Sequence, residues 1–135
     1  GTRADSEPGR ARLLVVDDDR QLVGYIRELL SEIDNLQIET AYDGFDAGTK
    51  MQVIRPHIVL LDLMMPGLNG FEVCQRIKSD HLTRDTRVIT MTGFASSENT
   101  GRSITAGAER CLSKPLNPEA LIALVSEAVA SLASA

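Results

Sequence analysis

The chain alternates short apolar runs with amphipathic ones. "RLLVVD" (12–17) is a run of aliphatic and β-branched residues closed by an acid, the pattern of a buried strand. "DRQLVGYIRELLSEI" (19–33) puts Leu22, Ile26, Leu29, Leu30 and Ile33 at helical spacing, with Asp19 suited to the N-cap. "LQIETAY" (36–42) predicts a second strand. "DGFDAGTKMQVI" (43–54) predicts a weaker helix, since Gly48 inside it costs roughly 1 kcal/mol relative to Ala. "PHIVLLD" (56–62) is the third strand, its proline at the start, where a missing N–H does least harm. "GFEVCQRIKSD" (70–80) predicts the third helix and "TRVITMT" (86–92) the fourth strand. "SSENTGRSITAG" (96–107) predicts a poor helix, with Gly101 in its middle, and "ERCLS" (109–113) a short fifth strand. "NPEALIALVSEAVASL" (117–132) predicts a strong last helix. Asn117 caps it, Pro118 takes its first position, and Leu121, Leu124, Val125, Ala128 and Leu132 form the buried stripe.

Five strands alternating with five helices imply right-handed crossovers and an α/β domain with a parallel sheet covered on both faces. Apolar strands agree, because parallel strands are buried on both sides. Ligands bind such sheets outside the carboxyl ends of the strands. Those ends carry Asp17, Asp18 and Asp19, then Asp62, then Thr92, then Ser113 and Lys114. Two carboxylates about 4 Å apart repel by roughly 4 kcal/mol at an effective dielectric of 20, so the cluster calls for a cation. The ligands are hard oxygens with no His or Cys in register, which suits Mg²⁺ and argues against zinc. Lys114 and Thr92 then offer a point charge and a hydroxyl to a phosphoryl group. An aspartate beside a metal and a lysine can itself be the nucleophile, forming an acyl phosphate.

Each residue has a plainer reading when taken singly. A strand-end Asp is commonly a cap or turn residue, and Asp19 keeps that role. Thr92 alone is a strand former, and Lys114 alone a solvated charge. His57 and His81 have no acidic or metal partner in sequence, and no chemistry is assigned to them. The chemical reading rests on the coincidence of these groups at the ends of successive strands.

At this point the residues resemble the receiver domains of bacterial two-component response regulators. "LLVVDDD", "IVLLDLMMPGLNGFE", "VITMTG" and "CLSKPLN" are similar to that family's successive motifs, over Arg12 to about Leu132. The intervals also match, with 44 positions from Asp18 to Asp62, 30 from Asp62 to Thr92 and 22 from Thr92 to Lys114. The resemblance implies a flavodoxin-like, doubly wound five-stranded sheet of order 2-1-3-4-5. It implies phosphoryl transfer from a phosphohistidine of a sensor histidine kinase or a histidine phosphotransfer protein to Asp62. By position, Asp18 and Asp62 would bind Mg²⁺ directly, Asp17 would assist through water, and the backbone carbonyl of Met64 would complete the protein ligands. Thr92 and Lys114 would hold the phosphoryl oxygens, with Pro115 in a cis bond aiming Lys114 into the site. The output would be a switch in a phosphorelay. Thr92 moves, the following loop and the soft fourth helix rearrange, and an effector domain or output protein reads the face made by helix four, strand five and helix five. One position departs from the family. Cys111 stands where an aromatic ring usually reports the threonine's movement, so the shift is read from the backbone or Phe94 takes part. Met64 and Phe94, both apolar, flank the site and are expected to hinder an attacking water.

The remaining features set bounds. At 135 residues the chain is one domain, and 43% hydrophobic with 24% charged residues is ordinary for a globular protein. A net charge of -5 without a basic stretch argues against direct nucleic-acid contact. Cys74 and Cys111 fit no metal or redox spacing and are expected to be buried thiols. No apolar stretch reaches membrane length and no signal-peptide pattern is present, so a cytoplasmic location is expected. Residues 1–10, "GTRADSEPGR", read as a disordered leader or cloning remnant, leaving 11–135 for the domain. The alternative is a haloacid-dehalogenase-like phosphatase, which needs an Asp two residues past its nucleophile. Met64 holds that place after Asp62. After Asp17 it is Asp19, but Gln21 then breaks the pattern, and no cap insertion fits. A flavodoxin-like binding module would need a phosphate-cradling loop after strand one, where "DDDRQ" would repel an anion. The domain is therefore expected to be a regulatory phosphoacceptor rather than an enzyme.

Overall fold

The computed structural model describes residues 10–133. The expected leader lies outside the described residues apart from Arg10, which is half-buried. Five strands form one sheet: β1 (Ala11–Val16), β2 (Leu36–Ala41), β3 (Ile58–Asp62), β4 (Arg87–Thr92) and β5 (Arg110–Ser113). All neighbours are parallel, and the order across the sheet is β2-β1-β3-β4-β5. The expected doubly wound topology and strand order are both present.

Between the strands run α1 (Arg20–Leu30), α2 (Gly44–Ile54), α3 (Gly70–Ser79), α4 (Ser97–Thr105) and α5 (Pro118–Ala133). Polar caps begin the first four, where Asp19, Asp43, Asn69 and Ser96 accept backbone N–H groups of the first turn. At α5, Asn117 Oδ1 accepts from Ala120 N at 3.1 Å, just ahead of Pro118.

Successive residues of β1 point to opposite faces. Leu13 and Val15 join the layer under α1 and α5, while Leu14 and Val16 join the layer under α2 and α3. Cys74 is fully buried in the second layer, and burial pushes its thiol up to about 11. Cys111 departs from expectation. It sits near the exposed edge in β5 and is only half-buried. After β3 the chain forms a small antiparallel ribbon, Met64–Met65 with Leu68–Asn69, turning through Gly67 at φ +72°. The Lys114–Pro115 bond is cis, as expected.

Candidate functional site

The parallel register brings the strand ends level. Val16 of β1 stands beside Leu61 of β3, so Asp17 and Asp62 follow side by side. Asp62 pairs with Met91 of β4, Thr92 pairs with Ser113 of β5, and Lys114 N donates to Thr92 O at 2.9 Å. Residues up to 97 positions apart therefore share one edge.

Carboxylate oxygens of Asp17, Asp18 and Asp62 lie within 4.8 Å of one another. Asp17 and Asp62 are buried, with side chains 1% and 5% exposed, whereas Asp18 faces solvent. Lys114 Nζ reaches 2.7 Å from Asp17 Oδ2 and 3.4 Å from Asp62 Oδ2. Backbone donors hold the remaining oxygens: Asp19 N donates to Asp17 Oδ1 at 3.0 Å, and Met64 N to Asp62 Oδ1 at 3.2 Å. Three carboxylates against one ammonium leave two negative charges unbalanced, and the repulsion is strongest between the buried Asp17 and Asp62.

Protonation follows from these contacts. Burial holds the Asp62 carboxyl above its usual range. The Met64 N–H opposes that, the Asp17 charge adds to it, and Lys114 opposes it. Burial works against the charge of Lys114, but its hydrogen bond to Asp17 and the nearby charges of Asp17 and Asp62 outweigh burial, raising the ammonium above its ordinary value.

Thr92 is fully buried at the same edge, one residue past the level of Asp62. Its hydroxyl oxygen accepts from Phe94 N at 3.0 Å, so its own proton stays available to donate. Met64 and Phe94 rim the site and are 56% and 71% exposed. Asp19 caps α1 and Lys114 is no solvated bystander. The direct Asp17–Lys114 ion pair differs from the expectation that Asp17 acts through water on a metal and Lys114 on a phosphoryl group. No local signal announces such a contact. Arg20, stacked 4.0 Å over the Tyr42 ring, ties the start of α1 to the end of β2 nearby.

The donor set fits a small hard divalent cation. It consists of carboxylate oxygens without thiol or imidazole, and the two unbalanced charges equal those of Mg²⁺.

A doubly wound α/β domain with an acidic pocket at the carboxyl edge of its sheet is one class of signalling fold, and the comparisons specify which. Residues 13–126 match the response regulator receiver domain model, and the chain belongs to that family of regulatory signalling domains. It is 31% identical over 114 residues to the DNA-binding dual master transcriptional regulator RpaA of Synechocystis sp., covering 84% of this chain and 47% of that protein. It is 33% identical over 116 residues to the DNA-binding response regulator MtrA of Mycolicibacterium paratuberculosis, covering 86% of this chain and 50% of that one. The chain thus spans about half the length of these relatives. The crystal structure of the signal receiver domain of a DNA-binding response regulator from Colwellia psychrerythraea superposes with a TM-score of 0.81 at 36% identity. That superposition covers 89% of this chain and 98% of the other. The family match leaves the haloacid-dehalogenase reading without support. No helix among the described residues is long and apolar enough to cross a membrane.

Proposed function

We propose that Asp62 is the phosphoacceptor, taking a phosphoryl group from the phosphohistidine of a sensor histidine kinase or histidine phosphotransfer protein. The observation that carries this reading is a buried carboxylate, at the carboxyl edge of the sheet, beside two further carboxylates and the ammonium of Lys114. An Asp62 oxygen attacks phosphorus and the P–N bond breaks. The electron pair stays on the imidazole nitrogen, and an acyl phosphate results. Lys114 pairs with one phosphoryl oxygen, and the Thr92 hydroxyl donates its free proton to another. Asp18 and Asp62 would hold Mg²⁺ directly, Asp17 through water, with the Met64 carbonyl completing the protein ligands. Bound there, Mg²⁺ supplies charge neutralisation for the carboxylates and the phosphoryl oxygens. Catalysis by the chain's own residues is positioning and electrostatics.

The phosphoryl group adds about two negative charges. Thr92 is drawn toward them, and the loop leading to α4 follows. The output is an effector domain or separate protein reading the α4–β5–α5 face. RpaA and MtrA are named as DNA-binding, so a DNA-binding effector joined to this domain is one such output. The receiver itself, at net charge -5, makes no direct nucleic-acid contact. A reducing cytoplasm suits its free thiols.

Incubation with acetyl phosphate and Mg²⁺, followed by intact mass measurement, tests this. One base-labile phosphoryl adduct is expected, dependent on Mg²⁺ and absent in Asp62→Asn. No adduct from any donor would mean a receiver fold that never takes phosphate. Steady turnover of phosphate esters would return the phosphatase.

A further inference from the structure

Helix α4 is anchored unlike its neighbours. Helices α1, α3 and α5 each bury two or three apolar side chains, and α2 buries Ala47. The only residue α4 buries is Ser103, and its one large apolar residue, Ile104, is exposed. A second hold on α4, the Arg102 guanidinium 4.0 Å over the Phe71 ring of α3, sits at the surface, where such contacts are worth less.

Ser103 Oγ lies 2.5 Å from Thr90 Oγ1, and Thr90 Oγ1 lies 3.2 Å from the Arg110 carbonyl oxygen. The carbonyl can only accept, so Thr90 donates its single proton there and Ser103 donates to Thr90. The result is a directed chain from α4 through β4 to β5. Both hydroxyls are fully buried, so breaking it strands a polar group away from water. Thr90 also precedes Thr92 by two residues, which puts both side chains on one face of β4. Its register partner on β5 is Cys111, where no aromatic ring is available to relay a movement.

We propose that the Ser103–Thr90 hydroxyl pair couples β4 to α4: when Thr92 is drawn toward phosphorylated Asp62, Thr90 leaves Ser103 and α4 loosens. The coupling rests on the phosphoacceptor reading of Asp62. Ser103 acts through Thr90 and is a positioning residue. It gives a receiver with Cys111 a route from the site to the output face.

The test combines intact mass with hydrogen exchange of the α4 amides, on the wild type, Ser103→Ala, Thr90→Val and Thr90→Ser, with and without acetyl phosphate and Mg²⁺. All four are expected to form the adduct equally. In the wild type, phosphorylation should speed α4 exchange about fivefold, the worth of one net hydrogen bond. In Ser103→Ala and Thr90→Val, exchange should already be about that fast before phosphorylation and rise less than about twofold after it. Thr90→Ser keeps the hydroxyl and should behave as wild type. A wild-type α4 indifferent to the adduct, or a full phosphorylation response in Ser103→Ala, would overturn the coupling alone. Absence of any adduct in the wild type would overturn the phosphoacceptor reading, and the coupling with it.

Discussion

A methyl group placed on Gly70 would stand 2.6 Å from Leu63 Cα and 3.0 Å from both the Asp62 and Leu63 carbonyl oxygens. These are backbone atoms immediately after the proposed phosphoacceptor, and they cannot rotate away. Helix α3 and the loop must separate by about 0.8 Å to regain the 3.4 Å of ordinary contact. Overpacking of this kind costs about 1–3 kcal/mol, and a backbone clash belongs at the upper end. Gly48 offers the opposite case. It lies exposed inside α2 with nothing within 4 Å of an added Cβ. Alanine there should stabilise by roughly 0.5–1 kcal/mol, through helix propensity and a less flexible unfolded chain. In a domain of this size about 1 kcal/mol moves Tm by roughly 3–5 °C. Gly70→Ala should therefore lower Tm by roughly 6–15 °C and Gly48→Ala raise it by roughly 2–5 °C. Urea unfolding should show shifted midpoints with unchanged slope in both. The adduct from acetyl phosphate should form more slowly in Gly70→Ala, because the displaced backbone carries Asp62. A Gly70→Ala midpoint matching wild type, or a Gly48→Ala protein that loses stability, would refute the steric argument.

Three further outcomes are expected. Asp62→Asn should stabilise the Mg²⁺-free domain by about 1 kcal/mol, because it removes one repelling carboxylate while Lys114 keeps Asp17. Added Mg²⁺ should raise the wild-type Tm more than that of Asp62→Asn, and a destabilised Asp62→Asn would contradict the repulsion. Burial, and then the Arg12 charge, lower the pKa of His57, whose Nδ1 accepts from Arg12 N. A depressed folded pKa contributes stability that is present above about pH 6.5 and lost as pH falls through the folded value. Urea midpoints at pH 7.5 and 5 should converge between wild type and His57→Ala, whereas a constant gap would rule this contribution out. Met64→Asn replaces an exposed apolar rim residue with one able to orient water, and should speed dephosphorylation about tenfold, or 1.4 kcal/mol of barrier. Equal lifetimes by intact mass would remove Met64 from that role.

Sequence pattern located all five strands and five helices because each element carries its own period and cap. The apolar runs of β1 and β3 and the caps Asp19 and Asn117 are local signals. What escaped was non-local or too short to have a period. The ribbon at Met64–Asn69 is two residues per strand and depends on Gly67 at positive φ. Arg55 ends α2 in the left-handed region at φ 54° without the glycine that would announce such a cap. The carboxylate cluster was legible because the α/β alternation itself assigns strand ends to one edge. The Asp17–Lys114 contact was not, since it depends on how far a side chain reaches across strands once the register is set. Ser103 reads as an ordinary polar residue on a poor helix. Only the structure shows it to be what α4 buries.

Register is the deeper question, because the site exists only if Asp17, Asp62 and Thr92 arrive level. A strand with one wet face has its register fixed by alternation. Here β3 is apolar and buried on both faces, so a one-residue slip against β1 would exchange one aliphatic side chain for another and be only weakly opposed. The opposite edge of the sheet supplies the missing constraint. His57 N donates to Arg12 O at 2.9 Å, Arg12 N donates back to His57 Nδ1 at 3.0 Å, and Arg87 N donates to His57 O at 2.8 Å. A single histidine thus pins β1, β3 and β4 to one another. Its imidazole bond has no equivalent in a slipped pairing, because the neighbouring Pro56 and Ile58 offer no side-chain acceptor. The histidine for which the sequence suggested no chemistry aligns the strands, five residues from Asp62, so that the carboxylates at their far ends meet.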